Sequence, residues 1–187
     1  GALRAVARSP ETRAGFAFTF QVLTRSAAHR STLALALALC VALLATTIPS
    51  LSAAQADTTA SPWWWALQTL LLGAMLLGFR QAVRVPADLK ASWTFHVHGG
   101  GSERAYVLGV KRAGFLLVCV PTLCTLIPMS VAVLGVGSAL LHAVVGLLGA
   151  GAMLESLFFT YPHIPFLSAY QPGGSVTFAA PIVGAGF

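Results

Sequence analysis

From Phe115 to Leu154 the chain runs for forty residues without a lysine, arginine, aspartate or glutamate, and no other feature limits its folding as much. As a single helix this run would be about 60 Å long, roughly twice the ~30 Å hydrocarbon core of a bilayer. It is therefore predicted to fold back on itself as two apolar helices. Gly135-Val136-Gly137 is the natural place for the reversal, with one helix near 115 to 134 and the next near 138 to 159. Pro121 and Pro128 are expected to kink the first of the two. Composition supports a lipid setting: 11 basic and 5 acidic residues make only 9% charged, against 57% hydrophobic and a mean hydropathy of +0.81. A soluble domain carries about a quarter charged residues. The same figures exclude a disordered chain, a disulfide-stapled secreted domain and a nucleic-acid-binding module, because the net +6 reflects scarce acids and no dense basic patch.

Two more stretches are long enough to cross. One runs from about Leu33 to Leu51, and the basic stretch before it is too long for the n-region of a secretory signal. The other runs from Trp63 to Phe79, with Ser61 and Pro62 as N-cap and first-turn proline. Trp63, Trp64 and Trp65 read as an interfacial anchor. The expected architecture is thus all-α and polytopic, with about four spans plus interfacial amphipathic helices. Its parts are a cytoplasmic interfacial helix in 1–32, a transmembrane hairpin in 33–79, a cytoplasmic loop in 80–114, a second hairpin in 115–159 and an apolar Pro/Gly-rich tail in 160–187. All eleven basic residues precede the first span or lie between the second and third, and the other two connections carry only Asp57. By the positive-inside rule, the N-terminus and the 80–114 loop face the cytoplasm of a bacterial inner membrane.

Ser9-Pro10-Glu11 marks a helix start. Phe16, Phe20 and Leu23 then share a face opposite Arg13, Arg25 and Arg30, which suits either a helix lying in the membrane interface or one packed on protein. In the loop, Pro86 to Lys90 favours a short helix, Trp93 to His98 alternates like an extended segment, and Gly99-Gly100-Gly101 breaks it. Ser102-Glu103 then opens a helix through Tyr106, Val110 and Arg112. Cys40, Cys119 and Cys124 lie in apolar runs without metal or CxxC spacing and read as small hydrophobes.

The stretch Arg84-Val-Pro-Ala-Asp-Leu-Lys-Ala-Ser-Trp-Thr-Phe95 and the later His163-Ile-Pro-Phe-Leu-Ser-Ala-Tyr-Gln-Pro-Gly173 resemble two landmarks of an uncharacterised family of large multi-pass bacterial membrane proteins. There the first reads approximately Pro-x-Glu-Leu-Arg-Ala-Asn-Trp-x-Phe and the second Ile-Pro-Phe-Thr-Cys-x-Tyr-x-Pro-Gly. This chain departs at Asp88, Lys90 and Ser92, and at Leu167, Ser168 and Gly174. The resemblance spans about thirty residues. It implies the C-terminal portion of a longer transmembrane protein, and brings no reaction and no catalytic residues.

Among candidate sites, His142 stands near the middle of a span, where an ionisable group is costly to bury. Ser138, His142, Gly146 and Ala150 recur every fourth residue, a ridge on which another helix or a flat ligand can approach closely. Ala74 and Gly78 form a similar packing surface on the second span. A neutral imidazole on such a ridge suits the metal of a haem or bacteriochlorophyll, whereas its more ordinary role is a hydrogen bond to a neighbouring helix. Glu155, near a helix end, belongs either to a proton or cation path or to a surface contact with Arg80 or Arg84. His96 and His98 on an extended segment lack third and fourth metal ligands. Ser138 and His142 lack the nucleophile turn of an intramembrane protease, and no Walker loop, HExxH or paired acids occur. The expectation is a non-enzymatic membrane protein without a required cofactor. It would serve as a structural or accessory subunit, its partners being the lipid bilayer and other transmembrane subunits of a larger bacterial complex, energy-transducing or photosynthetic, and no nucleic acid. The alternatives are the membrane portion of a transporter and a pigment- or haem-binding subunit using His142. The uncharged tail from 156, broken by Pro162, Pro165 and Pro172, is expected to leave the membrane as an irregular segment and to dock on the interface or a partner.

Overall fold

The computed structural model describes residues 9–54, 62–85, 103–159 and 165–166. Every regular element among them is helical: α1 (Pro10–Arg25), α2 (Ala27–Ala54), α3 (Pro62–Arg84), α4 (Glu103–Gly114), a π turn (Phe115–Cys119) and α5 (Val120–Phe159). Three stretches, Ala27–Thr47, Trp64–Arg84 and Glu103–Phe159, are long and apolar enough to cross a membrane.

The last of these is a hairpin. Gly135 has φ 77° and ψ 165°, a conformation open essentially to glycine alone, and it divides α5 into limbs 120–134 and 136–159. The limbs run antiparallel, so that Leu123 lies against Gly146, Ser130 against His142, and Lys111 of α4 meets Glu155. At the start of α5 the Val120 N–H donates to Phe115 O, one residue further back than in an α-helix. The next residue, Pro121, has no N–H, and its ring would crowd the carbonyl four residues earlier, which the widened turn relieves. Helical structure continues through Pro128, so the irregularity expected at two prolines falls at one.

α3 is the central helix. It runs antiparallel to α2, with Gly78 directly on Ala36 and the Cys40 thiol donating to Leu71 O at 3.7 Å. A side chain at position 78 would overlap the Ala36 methyl, so glycine there sets how closely the two helices approach. Against the first limb it is again antiparallel, from Trp64 at Ser130 to Phe79 at Gly114. It runs parallel to the second limb, from Gln68 at His142 to Phe79 at Phe158, whose rings are 6.1 Å apart. Two buried clusters result. One, around Leu76, Phe79, Val110 and Leu154, lies at the end where Arg25, Arg84, Lys111 and Arg112 gather, here the basic end. The other, around Cys40, Trp64, Leu71 and Leu126, lies toward Gly135, the turn end.

α1 begins as its sequence dictates, Ser9 Oγ accepting the Thr12 N–H at 3.2 Å with Pro10 and Glu11 following. Its inner face, including Thr12, Gly15, Thr19 and Val22, packs on α4. Gly15 rests on the Tyr106 carbonyl and Gly109 on that of Thr12, so a Cβ at either position would collide with backbone. Of the two surroundings open to α1, protein takes this face, while Phe20 stays exposed. Only Ser26, in extended conformation, separates α1 from α2. The helix expected from Leu33 therefore starts at Ala27. The segments predicted at Pro86 to Lys90 and Trp93 to His98, the break at Gly99 to Gly101 and the tail beyond Phe166 lie outside the described residues.

Candidate functional site

The described polar side chains that enter the bundle gather at two places. Toward the turn end, His142 stands seven residues past Gly135, about 10 Å along the second limb. The reversal sets it opposite Ser130, whose hydroxyl lies 3.3 Å from Nδ1. Trp64 Nε1 donates to the same hydroxyl at 3.3 Å. Gln68, one helical turn along α3, donates through Nε2 to the His142 carbonyl at 3.1 Å. That carbonyl is shared because Gly146 carries no side chain: a Cβ there would overlap both the Gln68 amide and Leu123. Trp64 stacks on the imidazole at 6.4 Å and Trp65 meets it edge-on at 4.6 Å. Three helical segments are thus tied through one ring and one carbonyl. The imidazole is 1% exposed, and its Nε2 has no hydrogen-bond partner among the described residues.

This geometry corrects several expectations. Trp64, read as a lipid-interface anchor, is 2% exposed and points into the bundle, because its N–H finds an acceptor in Ser130 where lipid offers none. Trp65 packs its ring on His142, and the side chain of Trp63 lies outside the described residues. The four-residue ridge packs inside this chain: His142, Gly146 and Ala150 are buried, while Ser138 is exposed near the turn and takes no part. Gly78 is buried against α2 and Ala74 packs on the turn-end cluster. Glu155 pairs with Lys111 at 2.5 Å, not with Arg80 or Arg84, since the hairpin register sets it opposite α4. Gln68 and Ser130 escaped notice in the sequence, although any polar group within an apolar helix must find a partner there.

At the basic end stands a second buried histidine that the sequence did not single out. His29 Nε2 lies 3.1 Å from Val85 O and Nδ1 lies 2.7 Å from Ser26 Oγ. A carbonyl only accepts, so Nε2 carries a proton, and in the neutral ring Nδ1 accepts from the Ser26 hydroxyl. Phe166 closes over this end. Its N–H donates to Val83 O at 2.9 Å, and its ring meets Phe18 edge-on at 5.6 Å and His29 at 5.7 Å. It is fully buried at φ 67°, a conformation costing a non-glycine residue about 1–2 kcal/mol that its contacts outweigh. The start of the tail thus docks on its own chain.

Among the described residues no group of three or more His, Cys, Asp or Glu side chains is placed to hold a metal ion; His96 and His98 lie outside them. The described cysteines are unpaired, with Cys40 and Cys119 buried and Cys124 exposed. No family model, no curated protein and no solved structure matches this chain.

Proposed function

We propose that the protein is a non-enzymatic, four-span integral membrane protein that serves as a structural or accessory subunit of a larger bacterial membrane complex. One observation carries the reading: the polar groups near His142 bond to one another across α3 and both limbs of α5, tying three helical segments together. The lateral surface supports it. Only 17% of the most apolar window of α2, and the same share of that in Glu103–Phe159, is buried. Leu35, Leu37 and Val41 on α2, and Leu140, Leu141 and Leu148 on the second limb, face outward, available to lipid and to partner helices alike. Four crossings follow from counting α2, α3 and the two limbs of α5. The basic end then lies at the cytoplasmic face.

A pigment or haem at His142 fits this arrangement poorly, since a macrocycle reaches the 1% exposed ring only after the helices around Trp64 and Trp65 separate. The rival transporter reading draws on the π turn and on the unmet Nε2. Purification of the tagged chain from its own membrane in mild detergent separates the readings: stoichiometric partner subunits are expected, and a chain that purifies alone and moves a solute in liposomes overturns the subunit reading. Cysteines placed at Asp57 and Gly101 in a cysteine-free background are expected to react with an impermeant thiol reagent from opposite sides. Reaction of both from one side refutes four spans.

A further inference from the structure

Phe166 fills a pocket whose walls stand without it. His29 forms one wall, fixed by Ser26 Oγ at 2.7 Å and Val85 O at 3.1 Å, bonds in which the tail takes no part. Phe18 forms another, on a helix locked to α4 where Gly15 rests on the Tyr106 carbonyl and Gly109 on that of Thr12. The last turn of α3, where carbonyls lack donors within the helix, supplies Val83 O, which takes the Phe166 N–H at 2.9 Å. Pro165 and Phe166 are both fully buried, yet the chain's own occupant is a compromise. Its φ of 67° weakens it by about five- to thirtyfold, and strain of this kind gathers at clamps and switches. It also leaves charge unused. Arg25, Arg30 and Arg84 adjoin Ser26, His29 and Val83 in the chain, and none of the three forms an ion pair among the described residues, while residues 156–187 carry no lysine, arginine, aspartate or glutamate.

We infer that this pocket docks a phenylalanine carried on an acidic segment of a neighbouring subunit, and that Phe166 keeps it closed until such a segment arrives. The incoming ring takes the place between Phe18 and His29, its amide N–H takes the place at Val83 O, and flanking carboxylates meet the arginines that adjoin the pocket. Charge chooses this occupant over the tail of a second copy, which would enter as uncharged as the chain's own. Tethering favours the resident residue, since a short linker gives it an effective concentration in the millimolar range. The partner's carboxylates and unstrained backbone supply what displaces it. The inference takes the source of the segment from the subunit reading. Its test uses the isolated chain, so either one fails without the other.

Fluorescence polarisation of the labelled peptide Glu-Asp-Pro-Phe-Glu-Asp with the purified full chain in uncharged detergent reads docking directly. Phe166→Ala empties the pocket and should bind the peptide at least about tenfold more tightly than wild type, because no resident ring competes. Replacing the peptide's phenylalanine by alanine should cost at least about tenfold, and Lys-Arg-Pro-Phe-Lys-Arg should not bind. Arg30→Gln or Arg84→Gln should weaken binding up to about fivefold each. Should Phe166→Ala fold poorly, wild type still answers: saturating acidic peptide should displace the tail and speed amide hydrogen exchange at Phe166, which Val83 O otherwise protects. Equal affinity of wild type and Phe166→Ala, equal binding of the alanine peptide, or exchange at Phe166 that the acidic peptide leaves unchanged overturns the inference. Wild-type dimers that Phe166→Ala abolishes overturn it as well, since the pocket would then take the tail of a second copy.

Discussion

His29 and His142 are equally buried, at 1% exposure each, yet they hold the molecule in different ways. His29 has both ring nitrogens bonded, at 2.7 and 3.1 Å, and ties the start of α2 to the end of α3 beneath the Phe166 ring. His142 has one nitrogen in a 3.3 Å contact and the other without a partner among the described residues. What grips the helices at the turn end is the backbone carbonyl of residue 142, taken by Gln68 across the space that Gly146 leaves open. The conspicuous intramembrane histidine is therefore the less committed of the two. Depth within an apolar run measures the cost of burying a group, and its partners decide what it does.

The largest expected effect of breaking this comparison is at the basic end. His29→Ala removes two bonds and the surface on which Phe166 rests, leaving a cavity and an unpaired Val85 carbonyl. A loss of about 3 kcal/mol is expected, read as a lower midpoint when the purified protein is unfolded by SDS in mixed micelles. Proteolysis near Phe166 should accelerate in parallel. A variant as stable as wild type, with the tail still protected, would show that the plug is held by Phe18 and Val83 alone.

Next in size is Gly146→Leu. The new side chain has no room between Gln68 and Leu123, so the second limb must move away from α3. Overpacking of this kind costs about 1–3 kcal/mol, in the same unfolding assay. Gly151→Leu, in open space on the same helix, serves as control and should leave the midpoint in place. Equal effects at both positions would mean that close approach at 146 does not hold the turn end together.

Much of this fold was legible because some residues allow one solution. Forty uncharged residues exceed one crossing, and Gly135 adopts the φ of 77° that the reversal uses. Ser9-Pro10-Glu11 caps α1 from sequence-local contacts alone. What escaped depends on rotation and register between helices. A tryptophan beside a proline reads as an interface residue until α3 is known to turn Trp64 toward Ser130. Glu155 has basic residues on several segments to choose from, and only the offset of the hairpin gives it Lys111. The small-residue ridge announces close packing without saying whether the neighbour belongs to the same chain. Gln68 was the overlooked clue, an amide in the least apolar of the three long helices, where an interior position is the way to satisfy it.

The smallest effect expected is also the one that most sharpens the comparison. His142→Phe keeps a flat ring between Trp64 and Trp65 and leaves the Gln68 bond untouched, because that bond uses the backbone. The substitution gives up the contact to Ser130, and hydrogen bonds between membrane helices average about 0.6 kcal/mol. It also removes a buried nitrogen with no partner among the described residues, and relief of that burial works against the loss. The two terms oppose each other, so stability should change by less than about 1 kcal/mol in either direction. Ser130→Ala in the same background then separates them: if the imidazole matters only through Ser130, the second substitution should add little beyond the loss of the Trp64 bond. A large loss of stability in His142→Phe, or loss of partner subunits from a chain that remains folded, would instead give Nε2 a ligand or partner in the membrane and return His142 to the centre of the function.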